Sequence, residues 1–146
     1  MKRIILLITL LAAVLVFAEG TVTPTRMGKS ATVERYSLAW TTSTNEFATY
    51  TTTDAIRGEI LRVTFTHAAG VSNLYDVTLT DPNGVDVLAG NGANIAVATV
   101  VTSVPELPVT DGVTTSMVPF AVCDFVTLTV TNAGSELSGT VNLYVK

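Results

Sequence analysis

The chain has 146 residues, 48% of them hydrophobic and 14% charged, with a formal net charge of −4. That length suffices for one domain with a real core. The acidic balance, with no stripe of Lys or Arg, excludes nucleic acid as a partner. A mean hydropathy of +0.49 with so few charges requires much surface to be hidden in a sheet core, against a neighbouring subunit, or both.

The first element in chain order is an apolar leader. Lys2 and Arg3 precede an apolar run from Ile4 to Phe17 broken only by Thr9, and Ala18 follows. This pattern predicts a secretory signal peptide over residues 1–18, cleaved after Ala18, or an uncleaved apolar helix that anchors or assembles the chain. The run is shorter than the roughly 20 residues that span a bilayer comfortably. A membrane contact is therefore expected only through this segment, if it stays attached. Cleavage would leave six basic and twelve acidic groups, net −6. Residues 19–32 are polar and small, punctuated by Pro24 and Gly28, and read as an extended arm or linker.

Residues 33–146 carry strand grammar. The whole chain holds 25 Thr and 21 Val, β-branched residues that suit a pleated surface better than a helix. "VERYSLAWTT" puts Tyr36, Leu38 and Trp40 on one face, and "FATYTTT" continues with Phe47 and Tyr50. "EILRVTFTH" alternates Leu61, Val63 and Phe65 inward against Arg62, Thr64 and Thr66, and "LYDVTLT" aligns Tyr75, Val77 and Leu79. "DPNG" from Asp81 to Gly84 is strong turn chemistry, so "VDVL" is expected to resume the strand as a hairpin, with "GNGAN" as the next turn. "IAVATVV" reads as a strand. "SVPELPVTDG" reads as a loop, because two prolines within four residues exclude a central strand. "VTTSMVPFAV" and "FVTLTVT" are strands, and "SGTVNLYVK" closes the chain with Val141, Leu143 and Val145 aligned.

About eight short strands at regular spacing predict an all-β fold: a single antiparallel β-sandwich, immunoglobulin-like or jelly-roll-like, preceded by the N-terminal apolar helix.

The blocks "AWTTSTNEFATYTTTDAIRGEILRVTF", "YDVTLTDPNGVDVLAGNGAN" and "GTVNLYVK" resemble a group of small structural proteins encoded by tailed bacteriophages. The resemblance runs from about Tyr36 to Lys146, and "YDVTLTD…GVDVL" is its most specific part. It implies a non-enzymatic virion component on the head surface and brings no catalytic residues with it.

The candidate chemistry is thin. His67 is the one histidine and no serine elbow accompanies it, which disfavours acyl-transfer catalysis. One His and one Cys cannot complete a typical zinc site. Cys123, in "PFAVCDF", is expected to be a buried small residue. Trp40 is expected to fill the space between sheets. Asp81, Asn83 and Asp86 around one turn are a calcium candidate, set against the ordinary use of Asp and Asn in turns. No cofactor is expected.

The resulting expectation is a structural subunit of a multi-copy assembly, found in a virion or on a secreted, extracellular surface. It would act through packing and strand pairing with other copies of itself or with a capsid or surface-lattice protein. Thr21, Val22 and Thr23 in the arm, and Val141, Leu143 and Val145 in the last strand, are the expected interface residues, because termini can reach a neighbour. The alternative is a secreted cell-surface or filament/adhesin-type binding module.

Overall fold

Alternating β-branched and aromatic residues make strands of much of the described chain. A computed structural model describes residues 19–27, 32–71, 74–96, 100–110, 112 and 114–146, and among these the fold is all-β. The strands are β1 Thr21–Met27, β2 Glu34–Thr41, β3 Ala48–Thr51, β4 Ile56–His67, β5 Asp76–Thr80, β6 Val101–Ser103, β7 Glu106–Thr110, β8 Thr115–Pro119, β9 Ala121–Asp124, β10 Thr127–Thr131 and β11 Ser138–Val145. The leader, with the expected helix, lies outside the described residues.

Two antiparallel sheets form a sandwich-like body. One has the order β1-β2-β11-β4-β6, with β9 pairing the first part of β4, and the other has the order β3-β10-β5. The pairs are nested: β2 with β11, β3 with β10, β4 with β6. The innermost partner of β5 is the segment 85–95, held by the Val87 N–H on the Leu79 carbonyl (2.8 Å) and the Val77 N–H on the Gly92 carbonyl (2.7 Å). Strands β7 and β8 form a separate hairpin outside both sheets.

Period-two alternation sorts the side chains. Leu38, Trp40, Val63, Phe65, Val141, Leu143 and Val145 of the larger sheet, and Val77, Leu79, Leu128 and Val130 of the smaller, join one buried cluster. Trp40 is 2% exposed and lies across β11 at Gly139. A Cβ on Gly139 would sit 2.7 Å from Trp40 Cε2, so glycine is what lets the indole pack flat there.

The outward positions are mostly threonine. On the larger sheet the registers Thr23↔Ala39↔Thr140↔Thr66 and Thr25↔Ser37↔Asn142↔Thr64↔Thr102 run across four and five strands respectively as rows of small, mostly polar groups. On the smaller sheet the rows are Thr49↔Thr129↔Thr78 and Thr51↔Thr127↔Thr80. Threonine keeps β propensity while leaving each outer face without an apolar surface on which another sheet could stack.

Several expectations need correction. Eleven strands are present among the described residues rather than about eight, because the proline-containing stretches of β1 and β7 also pair as strands. "SVPELPVTDG" contains β7, whose prolines are tolerated because a two-stranded ribbon has free edges. "VDVL" does not resume a strand. Asp86 Oδ1 accepts the N–H groups of Leu79 (3.2 Å) and Leu88 (3.1 Å), Oδ2 accepts that of Gly90 (2.9 Å), and the backbone winds into turns. In β4, Ile60 points inward at 1% exposure and Leu61 is only half-buried, because the register with β11 shifts between Tyr144 and Val145. Cys123 is exposed, since alternation in β9 turns Val122 inward.

Candidate functional site

Of the calcium candidates, the Asn83 amide leans on the Asp81 carboxylate (3.4 Å), and Asp81 and Asp86 each cap backbone. Asp81 Oδ1 accepts the N–H groups of Asn83 (2.9 Å) and Val85 (2.8 Å), as a carboxylate does in an Asx turn. The Val85 hydrogen bond, with those of Asn83 and Gly84 added to it, holds the Asp81 carboxyl below its ordinary range against the opposing effect of desolvation. Asp86 serves the three N–H groups named above. Asp76, earlier in the chain, accepts the Asn94 N–H (2.8 Å) and the Asn132 amide (2.9 Å). Among the described residues no three His, Cys, Asp or Glu side chains group as metal ligands.

His67 ends β4 beside Tyr75 and Trp40. The Tyr75 ring lies 5.8 Å from each, edge-on to the imidazole. Trp40 Nε1, His67 Nδ1 and Tyr75 Oη are buried and accept or donate no hydrogen bond to any described residue. Burial pushes the Tyr75 phenol up to about 12. Trp40 and His67 also border the shallow depression that lies beside β1.

The expected interface residues divide. Val141, Leu143 and Val145 are at most 1% exposed, and β11 pairs β2 on one side and β4 on the other. The last strand is central and has no open edge. The arm, by contrast, includes β1, the edge strand of the larger sheet, paired along its whole length with β2. Thr21 and Thr23 are exposed on its outer side, where they border a shallow depression of about 390 Å³ floored by Ala39 and Gly139. Val22 turns inward and packs against the core. Pro24 removes one donor from β1, which limits how far another strand could pair along it.

Two features escape the sequence. The first is the β7–β8 hairpin. Only Val104 and Pro105 separate it from β6, so it leaves the body at the edge opposite β1. Met117 is 58% exposed and Val118 37%. Neighbours in a strand face opposite ways, so among the described residues neither face of this part of β8 is fully covered. Val100 and Val104, about half exposed, extend the apolar surface at the hairpin's base. The second is a notch of about 200 Å³ between β1 and β3, lined by Pro24, Tyr36, Leu38, Tyr50 and Thr52, with Thr53 and Asp54 on the rim. Arg26 at its mouth is paired with Glu34, which also accepts the Tyr36 hydroxyl (2.8 Å). Strand β8 lies inside "VTTSMVPFAV", which the alternation reads as a strand; its partner β7 is the half that the prolines of "SVPELPVTDG" mask.

At the far end of the larger sheet's outer face, Arg62 sits 4.0 Å above the Tyr144 ring. Burial raises the Tyr144 phenol, but hydrogen bonds from Arg35 and Arg62 and their positive charge leave it below its ordinary value.

Set against known proteins, the chain matches no family model, no curated protein and no solved structure.

Proposed function

We propose that this chain is a non-enzymatic structural subunit of a multi-copy assembly, a virion protein of the capsid-surface or minor structural kind, whose partners are other copies of itself or a lattice protein. We read its two sheets as one jelly roll. The support for that is the nesting of β2 with β11, β3 with β10, β4 with β6 and β5 with 85–95, the order produced by folding one long hairpin over on itself. Jelly rolls recur in capsid and lectin domains, which favours the reading by analogy alone. The resemblance of "YDVTLTD…GVDVL" to phage structural proteins points the same way.

The observation that carries the proposal is the β7–β8 hairpin. Two strands alone are marginal in water, and this pair displays Met117 and Val118 to solvent. A partner that covers the ribbon supplies the missing third layer. Both threonine-coated sheet faces lack an apolar patch for such contacts, which leaves the hairpin and the sheet edges to make them. The test is the doubly changed chain Met117→Asp/Val118→Asp, compared with wild type by size-exclusion chromatography with light scattering. Loss of higher-mass species with an unchanged far-ultraviolet spectrum supports the proposal. Retention of the same species removes the hairpin from it.

A further inference from the structure

Glycine follows asparagine twice in the chain, at Asn83–Gly84 and at Asn91–Gly92. This dipeptide is the one most open to attack of the backbone on its own side chain, because glycine sets no Cβ beside the attacking nitrogen. The fold treats the two pairs in opposite ways.

Asn91 is held at both ends of its amide. Its Nδ2 donates to the Leu88 carbonyl (2.8 Å), and its Oδ1 accepts the Ser103 hydroxyl (2.6 Å). Gly92 behind it is buried, and its carbonyl accepts the Val77 N–H (2.7 Å). A Cβ on Gly92 would lie 1.9 Å from the Val77 carbonyl oxygen, so the backbone there has no room to turn. Asn83, by contrast, is exposed in the turn from Asp81 to Val85. Among the described residues its side-chain amide makes one long hydrogen bond, from Nδ2 to Asp81 Oδ2 (3.4 Å). Gly84 is exposed as well, at a φ of +81°, with nothing within 4 Å of where a Cβ would project.

We propose that Asn83 is a site of spontaneous covalent modification in the native protein, its amide becoming a carboxylate by way of a succinimide with Gly84, while the fold protects Asn91. The Gly84 nitrogen gives its proton to solvent and bonds to Asn83 Cγ. The Cγ–Nδ2 bond breaks, and the amide nitrogen takes up a proton and leaves as ammonia. Water then opens the ring at either carbonyl. One product is aspartate; the other is isoaspartate, with an extra methylene in the backbone. The Gly84 N–H bond to the Asp81 carbonyl (3.0 Å) must open first, which slows the native chain relative to an unfolded one without stopping it. The new carboxylate stands beside that of Asp81, so the turn after β5 acquires a like-charge pair.

The experiment follows the full-length chain in mildly alkaline buffer, native and unfolded in guanidinium chloride. Peptide mass spectrometry, with fragmentation that separates isoaspartate from aspartate, reads both asparagines over time. In the native chain Asn83 is expected to convert about tenfold faster than Asn91 or more, the scale of releasing two hydrogen bonds before the ring can close. In the unfolded chain the two rates should converge. Native isoelectric focusing should show a more acidic band growing in wild type and absent from Asn83→Gln, whose longer side chain must close a larger ring. Equal rates in the native chain, an Asn83 that stays intact, or an acidic band undiminished in Asn83→Gln would overturn the assignment. A gap between the two sites that survives unfolding would overturn the protection of Asn91 by the fold.

Discussion

Replacing Tyr75 by Phe isolates a single buried hydroxyl. Tyr75 is 0% exposed, and its hydroxyl has no hydrogen-bond partner among the described residues. An unsatisfied buried polar group costs about 1–3 kcal/mol, whereas a satisfied one contributes about 0.5–1.5 kcal/mol. Phenylalanine keeps the ring that touches Trp40 and His67 and removes only the oxygen. The variant should therefore be more stable than wild type, by about 1 kcal/mol or more, in urea unfolding at neutral pH. A second, independent reading comes from alkali. The phenol is raised by burial to about 12 in the folded chain, against an ordinary value of 10.0. Between those values the unfolded chain has lost a proton that the folded chain retains, so folding binds a proton and stability falls as pH rises. The contribution of this group is fully present below pH 10 and is lost toward pH 12, by roughly 2–3 kcal/mol. The Phe variant should lack that part of the alkaline loss. A Tyr75→Phe chain destabilised by about 1 kcal/mol, with the alkaline slope of wild type, would refute the reasoning and give the hydroxyl a partner.

Three further outcomes follow from the packing. Gly139→Ala should destabilise by about 1–3 kcal/mol, because the new methyl meets the Trp40 ring on one side and the Thr66 carbonyl on the other, neither of which has room to retreat; thermal unfolding should show it as a drop of roughly 2–12 °C. Asp86→Ala should cost about 1–3 kcal/mol by releasing the N–H groups of Leu79, Leu88 and Gly90, and the melting temperature of wild type should not respond to calcium, because those carboxylate oxygens already serve the backbone. Cys123, exposed on β9, should react with a thiol reagent in the native protein at close to the rate of a free thiol, a result that mass spectrometry checks.

The inward faces were legible because a period of two has one solution once a face is buried. Tyr36–Leu38–Trp40, Tyr75–Val77–Leu79 and Val141–Leu143–Val145 all fall where alternation puts them, with Tyr36 at the half-buried margin. Where a side chain competes with the ladder, alternation fails. Asp86 diverts "VDVL" into turns by taking up three N–H groups, and the shift at Tyr144/Val145 exchanges Ile60 for Leu61 at the core. Strand order was not legible at all. That β11 is central and β1 an edge depends on pairings across about a hundred residues, which local pattern does not encode. The same ignorance hid both the notch, which needs β1 beside β3, and the exposure of the hairpin. It also hid that Val141, Leu143 and Val145 lie in a central strand and are at most 1% exposed.

The most direct measurement is the mass of the full-length wild-type chain by sedimentation velocity over a wide concentration series, run beside Met117→Asp/Val118→Asp. Species larger than one chain should grow with concentration in wild type and be lost in the variant. Wild type that remains a single chain at every concentration, or a variant that associates equally well, would contradict a subunit that assembles through its hairpin.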